Sequence, residues 1–285
     1  MSRTLTASDR SNLLRLASSL PVSSPERKAI LAGLVQTKVA TNEVNVPGQH
    51  ILEQAQVRDN AKVWGNAKVS GNAYVGDNAR VGAFAKVYDK AVVKYNAEVY
   101  GNAEVYENAW IGDNAKVFGN ANVSGKAKVY NDAKVYDKAT IFKNAQVYED
   151  AEVYGNAEVF EDAKVFGHTW VYEGAHVYGN AQVYDSAHIG SKAKVYGNAK
   201  VYEDAVVSGN ARVFENAKVF GEARIGGNAK VSGNAEVYGD ARIEGKARIG
   251  GKARIGGTAE ILGGEWDGSE GEILSGKWKA PGVPA

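Results

Sequence analysis

The chain has 285 residues, with 34 Lys and Arg against 33 Asp and Glu, so its net charge of +1 gives no overall attraction to nucleic acid. It contains no cysteine, which excludes disulfides and thiolate metal sites. No apolar run reaches the roughly 18 residues that a membrane span needs, and the N-terminus lacks the order of a signal peptide. We therefore expect a soluble protein with no membrane partner, in the cytoplasm or in a virion; composition does not select between these compartments.

Residues 1–34 predict a short N-terminal helical segment. Ser8 is a suitable N-cap for a first amphipathic helix, which Pro21 ends, and Ser24-Pro25-Glu26 gives a second helix start. Two short helices cannot enclose a core alone. The segment is interpreted either as a cap on the following domain or as a docking segment for a partner. Residues 35–50 are polar and predict a linker.

Residues 51–262 form one uninterrupted six-residue repeat. Every sixth residue from Ala55 to Ala259 is Ala, except Thr169, and Val or Ile follows two residues later each time. A unit such as Val63-Trp64-Gly65-Asn66-Ala67-Lys68 combines three residues of alternating strand character with a turn pair in which Gly or Asn tolerates positive φ. Internal repetition of this kind fixes the architecture of the whole segment.

A short strand plus a corner is one side of a coil, and three sides close a coil of 18 residues. The repeat predicts an all-β parallel helix of about 12 triangular coils, on the order of 55 Å long at a strand spacing of ~4.8 Å. Val75-Gly76-Asp77-Asn78-Ala79-Arg80 and Ile111-Gly112-Asp113-Asn114-Ala115-Lys116 resemble the repeat of the bacterial hexapeptide-repeat transferases. The left-handed sense is implied by this resemblance alone, because parallel crossovers are usually right-handed.

The same resemblance implies acyl transfer with a catalytic His beside a projecting loop, but the uninterrupted coils leave no room for such a loop. His176 and His188 are weak catalytic candidates, and the repeat places them on different sides of the coil. No two His are neighbours in a column and none has an acid partner visible from spacing, so we expect no metal site and no cofactor.

Residues 18 apart should stack into outward columns, and three of these columns are aromatic. The long ladder, a possible binding surface, is Tyr130, Tyr148, Phe166, Tyr184, Tyr202, Phe220 and Tyr238. Two shorter columns hold Tyr100, Phe118, Tyr136, Tyr154 and Tyr172, and Phe142, Phe160, Tyr178, Tyr196 and Phe214. Such columns either stabilise the strands by stacking or provide an interaction face for subunits or sugars.

One further outward column is basic: His176, Lys194, Arg212, Lys230 and Arg248. It is interpreted as a solvated face or as a surface for an anionic partner, and it is too narrow to predict specific nucleic-acid binding. Gly167-His168-Thr169-Trp170 is the one local irregularity and a minor site candidate.

Residues 263–285 leave the repeat, because Asp267 stands where the next aliphatic residue is due. We expect Trp266, Ile273, Leu274 and Trp278 to fold over the last coil as a cap, since an open coil end exposes unpaired backbone groups.

The leading interpretation is a non-catalytic structural rod. We expect a homo-oligomer, with a trimer as one option, or a component of a larger particle such as a phage virion. A hexapeptide-repeat acyltransferase acting on a sugar or amine, and a carbohydrate-binding rod that uses the outward Tyr columns, are the alternatives.

Overall fold

The computed structural model of the protein describes residues 50–52 and 54–285, and every regular element in that part of the chain is a β-strand. The helices expected within residues 1–34 lie outside the described residues, as does the linker expected over 35–50 except for His50. In chain order the strands are β1 (His50–Ile51), β2 (Gln56–Val57), β3 (Lys62–Val63), β4 (Lys68–Val69), β5 (Tyr74–Val75), β6 (Arg80–Val81), β7 (Lys86–Val87), β8 (Val92–Val93), β9 (Glu98–Val99), β10 (Glu104–Val105), β11 (Trp110–Ile111), β12 (Lys116–Val117), β13 (Asn122–Val123), β14 (Lys128–Val129), β15 (Lys134–Val135), β16 (Thr140–Ile141), β17 (Gln146–Val147), β18 (Glu152–Val153), β19 (Glu158–Val159), β20 (Lys164–Val165), β21 (Trp170–Val171), β22 (His176–Val177), β23 (Gln182–Val183), β24 (His188–Ile189), β25 (Lys194–Val195), β26 (Lys200–Val201), β27 (Val206–Val207), β28 (Arg212–Val213), β29 (Lys218–Val219), β30 (Arg224–Ile225), β31 (Lys230–Val231), β32 (Glu236–Val237), β33 (Arg242–Ile243), β34 (Arg248–Ile249), β35 (Arg254–Ile255), β36 (Glu260–Ile261), β37 (Glu265–Trp266), β38 (Glu272–Ile273), β39 (Lys277–Ala280) and β40 (Val283–Pro284).

The strands form three parallel sheets, each built from every third strand. The first face is the 13-stranded sheet from β1 to β37, the second face is the 13-stranded sheet from β2 to β38, and the third face runs from β3 to β39 with β40 added. Each residue pairs with the residue 18 positions further on, as Lys62 does with Arg80 and Val63 with Val81. The strands β1 to β36 therefore make twelve coils, which confirms the predicted parallel β-solenoid. The left-handed sense stays a prediction.

The inward column of each face is a continuous stack of Val and Ile, lined by Ala at the corners. From Val69 to Ile261 these inward side chains are at most 1% exposed. Burial of each Val or Ile contributes on the order of 1.5–3 kcal/mol before the conformational entropy is subtracted. No buried side-chain polar atom in the described chain lacks a hydrogen-bond partner. The interior is therefore fully packed, so functional groups must lie on the outward columns.

The corner geometry matches the expected turn pair where the first residue is Gly and departs from it elsewhere. Positive φ falls on the first member of the pair in every hexad from Asp59 to Gly257, and half of these residues are not Gly. The Asn that follows does not adopt positive φ in the described coils. Its amide instead donates to the equivalent Asn of the next coil, as Asn96 does to Asn114 at 3.1 Å and Asn198 to Asn216 at 3.1 Å. The Asn columns are thus hydrogen-bond ladders.

The C-terminal segment adds a shorter thirteenth turn. Trp266 pairs with Ile249, Ile273 with Ile255, and Trp278 with Ile261, so three of the four expected cap residues occupy inward or partly buried positions. The fourth, Leu274, is 51% exposed. The turn from Arg248 to Glu265 is one residue short of a full coil, which is why Trp266 takes the inward position that the repeat assigns to Asp267.

Two features close this end of the solenoid. The Trp266 and Trp278 rings meet edge to face, 6.3 Å apart, above the last Ile layer. The final strand β40 then pairs antiparallel with β39 and covers its outer edge. Covering an edge in this way blocks continued strand pairing along the third face.

Candidate functional site

A shallow groove runs along the third face and the corner that precedes it. The groove runs from Asn114 to His188 and has a volume of about 710 Å³. Its corner column holds Asp150, His168 and Ser186, and its face column holds Glu152, Trp170 and His188. The minor site candidate around His168 therefore lies within this groove.

His168 has an acid partner in the preceding coil. Its Nδ1 lies 3.3 Å from Oδ2 of Asp150, and both side chains are mostly exposed. Ser186 follows in the same column, one coil beyond His168. A carboxylate beside an imidazole Nδ1 fixes the ring and leaves Nε2 to accept a proton. This pair therefore has the two groups of an acid–base unit.

Trp170 and His188 provide the aromatic part of the groove. Their rings stack at 4.6 Å with 15° between their planes, and Trp170 is 43% exposed. Thr169, which replaces the corner Ala here, is fully buried, and its hydroxyl donates to the carbonyl of Phe166 at 2.6 Å. The Thr is thus accommodated by the turn itself and does not contribute a free hydroxyl to the groove.

The weak catalytic candidates His176 and His188 lie on different faces, in β22 on the first face and β24 on the third. His176 Nδ1 is 3.8 Å from Oε2 of Glu158. The expectation that no His has an acid partner is therefore wrong for His168 and His176. Both partners are 18 residues upstream, so comparing each His with the preceding coil would have found them.

Even so, the described residues contain no group of three or more His, Asp or Glu side chains positioned to hold a metal ion.

The long ladder is a continuous stack on the second face. Its six neighbouring ring pairs have centroids 4.8–5.3 Å apart and planes within 12° of parallel. Both ends are covered as well: Trp110 packs edge to face on Tyr130, and the Arg254 guanidinium lies 5.5 Å from the centre of the Tyr238 ring. The ring faces are therefore occupied within the chain, and the Tyr130 and Tyr238 hydroxyls donate to Gln146 and Glu272.

The two shorter aromatic columns stack in the same way. Tyr100 to Tyr172 lie on the third face with centroids 4.9–5.5 Å apart, and Phe142 to Phe214 lie on the first face with centroids 4.7–5.1 Å apart. Their spacing matches the distance between neighbouring strands, so stacking follows from the coil register itself.

Partial burial changes the acidity of the stacked phenols. In the long ladder, desolvation and nearby charged groups raise the pKa of Tyr202 to about 12. Desolvation likewise raises the pKa of Tyr130, Tyr148 and Tyr184. On the third face the pKa of Tyr136 rises through desolvation and through its hydrogen bond to Glu152. These hydroxyls stay neutral at physiological pH and act as hydrogen-bonding groups.

The basic column exists as predicted on the first face, with successive members in direct strand register. Its end members have acid neighbours, His176 beside Glu158 and Arg248 beside Glu265. Lys194, Arg212 and Lys230 form no ion pair with any residue in the described ranges 50–52 and 54–285. Cations in the same strand position elsewhere do pair, for example Lys134 with Glu152 at 2.8 Å.

Comparison of the chain with protein-family models and with characterised proteins finds no match. The hexapeptide resemblance therefore rests on the repeat itself. Among the described residues there is no helix of the length and apolar character that crossing a membrane requires.

Proposed function

We propose that this protein is a non-catalytic structural rod that works within a larger assembly, such as a phage virion. One observation carries the proposal: along much of the repeat, outward side chains contact the equivalent position of the next coil. Rings stack on rings, Asn amides bond to Asn amides, and corner acids bond to the next coil. From residue 54 to residue 262 the strands and turns follow one another with no projecting loop. This arrangement favours stiffness over a formed reaction site.

Self-association is the expected route to assembly. The outward ring edges of the long ladder form a partly apolar strip along the second face, and a homotrimer would bring three such strips to one axis. We expect the parent chain to be trimeric by light scattering coupled to gel filtration. Tyr184→Lys should give monomers, while the matched third-face variant Tyr154→Lys should remain trimeric. A parent chain that stays monomeric at high concentration would count against the trimer.

Acyl transfer is the second candidate, and the Asp150–His168 pair in the groove favours it. A His held by a carboxylate is the group that a hydroxyl or amine acceptor would need as its base. The decisive experiment measures acetyl-CoA turnover over a panel of sugars and amines. We expect none; turnover that disappears in His168→Gln, His176→Ala or His188→Ala would replace the structural proposal with an enzymatic one.

A carbohydrate-binding rod is the remaining alternative. Sugar rings usually pack on exposed aromatic faces, and in the long ladder these faces are covered by neighbouring rings. A neutral sugar would have to use Tyr hydroxyls or the exposed Trp170. Glycan binding that is lost in Tyr184→Phe would support this alternative, because that change removes only the hydroxyl.

A further inference from the structure

The C-terminal half of the first face carries a concentrated positive charge that the scaffold role does not use. The basic strip comprises the basic column and the corner cations beside it: His176, Lys192, Lys194, Arg212, Lys230, Lys246, Arg248 and Lys252. Between residues 173 and 252, the face and its two flanking corners contain two acids, Glu173 at the start of the strip and Glu215 in its middle. The Glu215 carboxylate accepts from the Gly233 backbone N–H at 2.6 Å, so it is already engaged within the corner.

The other faces do not show this imbalance. On the second face Lys164 and Lys200 alternate with Gln182, and the corner that follows carries Asp185 and Glu203. On the third face Arg224 and Arg242 are in register, but Glu260 follows them and the corner beside them carries Glu222 and Asp240. Stacked cations one strand spacing apart repel each other and destabilise the fold unless anions come near. Binding a partner with regularly spaced negative charges would therefore reduce the repulsion within the basic strip and stabilise the fold.

We propose that the basic strip binds a linear acidic polysaccharide laid along the rod axis. The five residues of the basic column, one per coil, span roughly 20 Å at a strand spacing of ~4.8 Å. They form a straight line along which an extended polysaccharide chain would lie. Carboxylate or sulfate groups on successive sugars would meet Lys194, Arg212 and Lys230 in turn. Hydroxyl groups would meet the polar corner side chains Asn210 and Asn228, which lie beside the same column.

The aromatic rings of this face favour a polysaccharide over a single-stranded nucleic acid. Proteins that bind single strands stack bases on free aromatic faces. Here Tyr178 and Tyr196 stack at 4.8 Å, and Tyr196 and Phe214 at 5.1 Å, so the faces between these rings are filled. A nucleic-acid duplex would need a broader basic patch than one column with its flanking corners.

The test compares the full chain with two matched triple variants. The first carries Lys194→Gln, Arg212→Gln and Lys230→Gln on the first face; the control carries Lys128→Gln, Lys164→Gln and Lys200→Gln on the second. Each removes three outward cations at equivalent strand positions, and circular dichroism verifies that both variants fold. The probes are heparin, which is sulfated, and polygalacturonate, which is carboxylated, so the two arms show which acid group is preferred.

We expect the first-face variant to weaken binding to at least one probe about tenfold or more and to reduce its salt dependence, because three charge contacts are lost. The control should stay within roughly twofold of the parent. The proposal is overturned if the parent binds neither probe or if both triple variants weaken binding equally. Equal or tighter binding of oligothymidylate would assign the strip to nucleic acid, and equal or tighter binding of polyglutamate would assign it to an acidic protein.

Discussion

The carboxylate of Glu107 accepts a hydrogen bond from the backbone N–H of Gly125, one coil further along, with 2.6 Å between Oε2 and N. Glu107 has a φ of 57°, a left-handed conformation that costs a non-Gly residue roughly 1–2 kcal/mol. The same contact recurs where other acids occupy this corner position, as from Asp137 to Gly155 at 3.2 Å and from Glu161 to Gly179 at 2.9 Å. The acid therefore offsets its own backbone strain by bonding to the neighbouring coil.

Two substitutions at Glu107 separate these opposing effects. Glu107→Ala loses the hydrogen bond and keeps the strained φ, so we expect it to lower the free energy of unfolding by about 1 kcal/mol. Glu107→Gly loses the same hydrogen bond but removes the strain, so it should be more stable than Glu107→Ala by about 1 kcal/mol. Urea unfolding followed by circular dichroism measures both. An Ala variant at least as stable as the Gly variant would contradict this account of the corner.

The neighbouring residues Val206 and Val207 test the direction of the side chains. Val207 is fully buried in the core, and Val206 occupies the outward position of the same strand. Val207→Asp places an unpaired charge among stacked aliphatic side chains, so we expect a loss of several kcal/mol or failure to fold. Val206→Asp should change stability by less than about 0.5 kcal/mol. Thermal unfolding of the two variants should therefore differ strongly; similar midpoints would mean that the inward assignment is wrong.

Tyr184 lies in the middle of the long ladder, and its ring centroid is 5.0 Å from the ring centroids of both Phe166 and Tyr202. Tyr184→Ala removes two stacking contacts, each worth about 0.5–1.5 kcal/mol beyond the buried area, so it should destabilise the solenoid by roughly 1–3 kcal/mol. Tyr184→Phe keeps the ring and should be close to neutral. Denaturant unfolding compares the two variants with the parent chain. A destabilising Phe variant would indicate that the hydroxyl, and not the stack, is the important group.

The stacked Tyr residues predict a loss of stability at high pH. The Tyr202 pKa is about 12 in the folded chain and near 10 when exposed, so folding favours the protonated form. This contribution to stability is complete below pH 10 and is lost as the pH rises from 10 through 12. Thermal midpoints should fall over that pH interval. Tyrosinate absorbance should appear at a higher pH in the folded chain than in the chain unfolded in urea. Tyr202→Phe should reduce the fall; an unchanged pH profile would show that Tyr202 does not contribute to it.

The C-terminal turn is expected to prevent end-to-end association. Removing residues 263–285 uncovers the inward Ile249, Ile255 and Ile261 together with the outer edges of their strands. We expect the truncated chain to keep its β signal in circular dichroism and to form larger species in light scattering. Removing only residues 281–285 deletes β40, leaves the Trp pair in place, and should have a weaker effect. A dispersed and well-folded 263–285 truncation would contradict the capping role.

Much of the candidate surface was predictable from register alone. Because residues 18 apart stack, the sequence predicts the long ladder and the basic column, and the strand pairing confirms both. The same rule would have paired His168 with Asp150. What register could not supply was contact between neighbouring columns, such as Trp110 packing edge to face on Tyr130 or the Arg254 guanidinium lying over the Tyr238 ring. These contacts depend on side-chain rotamers, which a stacking rule for residues 18 apart does not describe.

The sequence by itself determined the coil length, the three faces and the identity of every inward residue within the repeat, because an uninterrupted six-residue period leaves only one register that buries the Val or Ile shared by every unit. Tertiary structure decided what happens where the period bends or breaks. It places positive φ on the acid and not on the Asn, since only the first corner residue must turn the chain and its carboxylate can reach the next coil. It also brings Trp266 inward one residue early, because the last turn is shortened and a large ring fills the open end of the core.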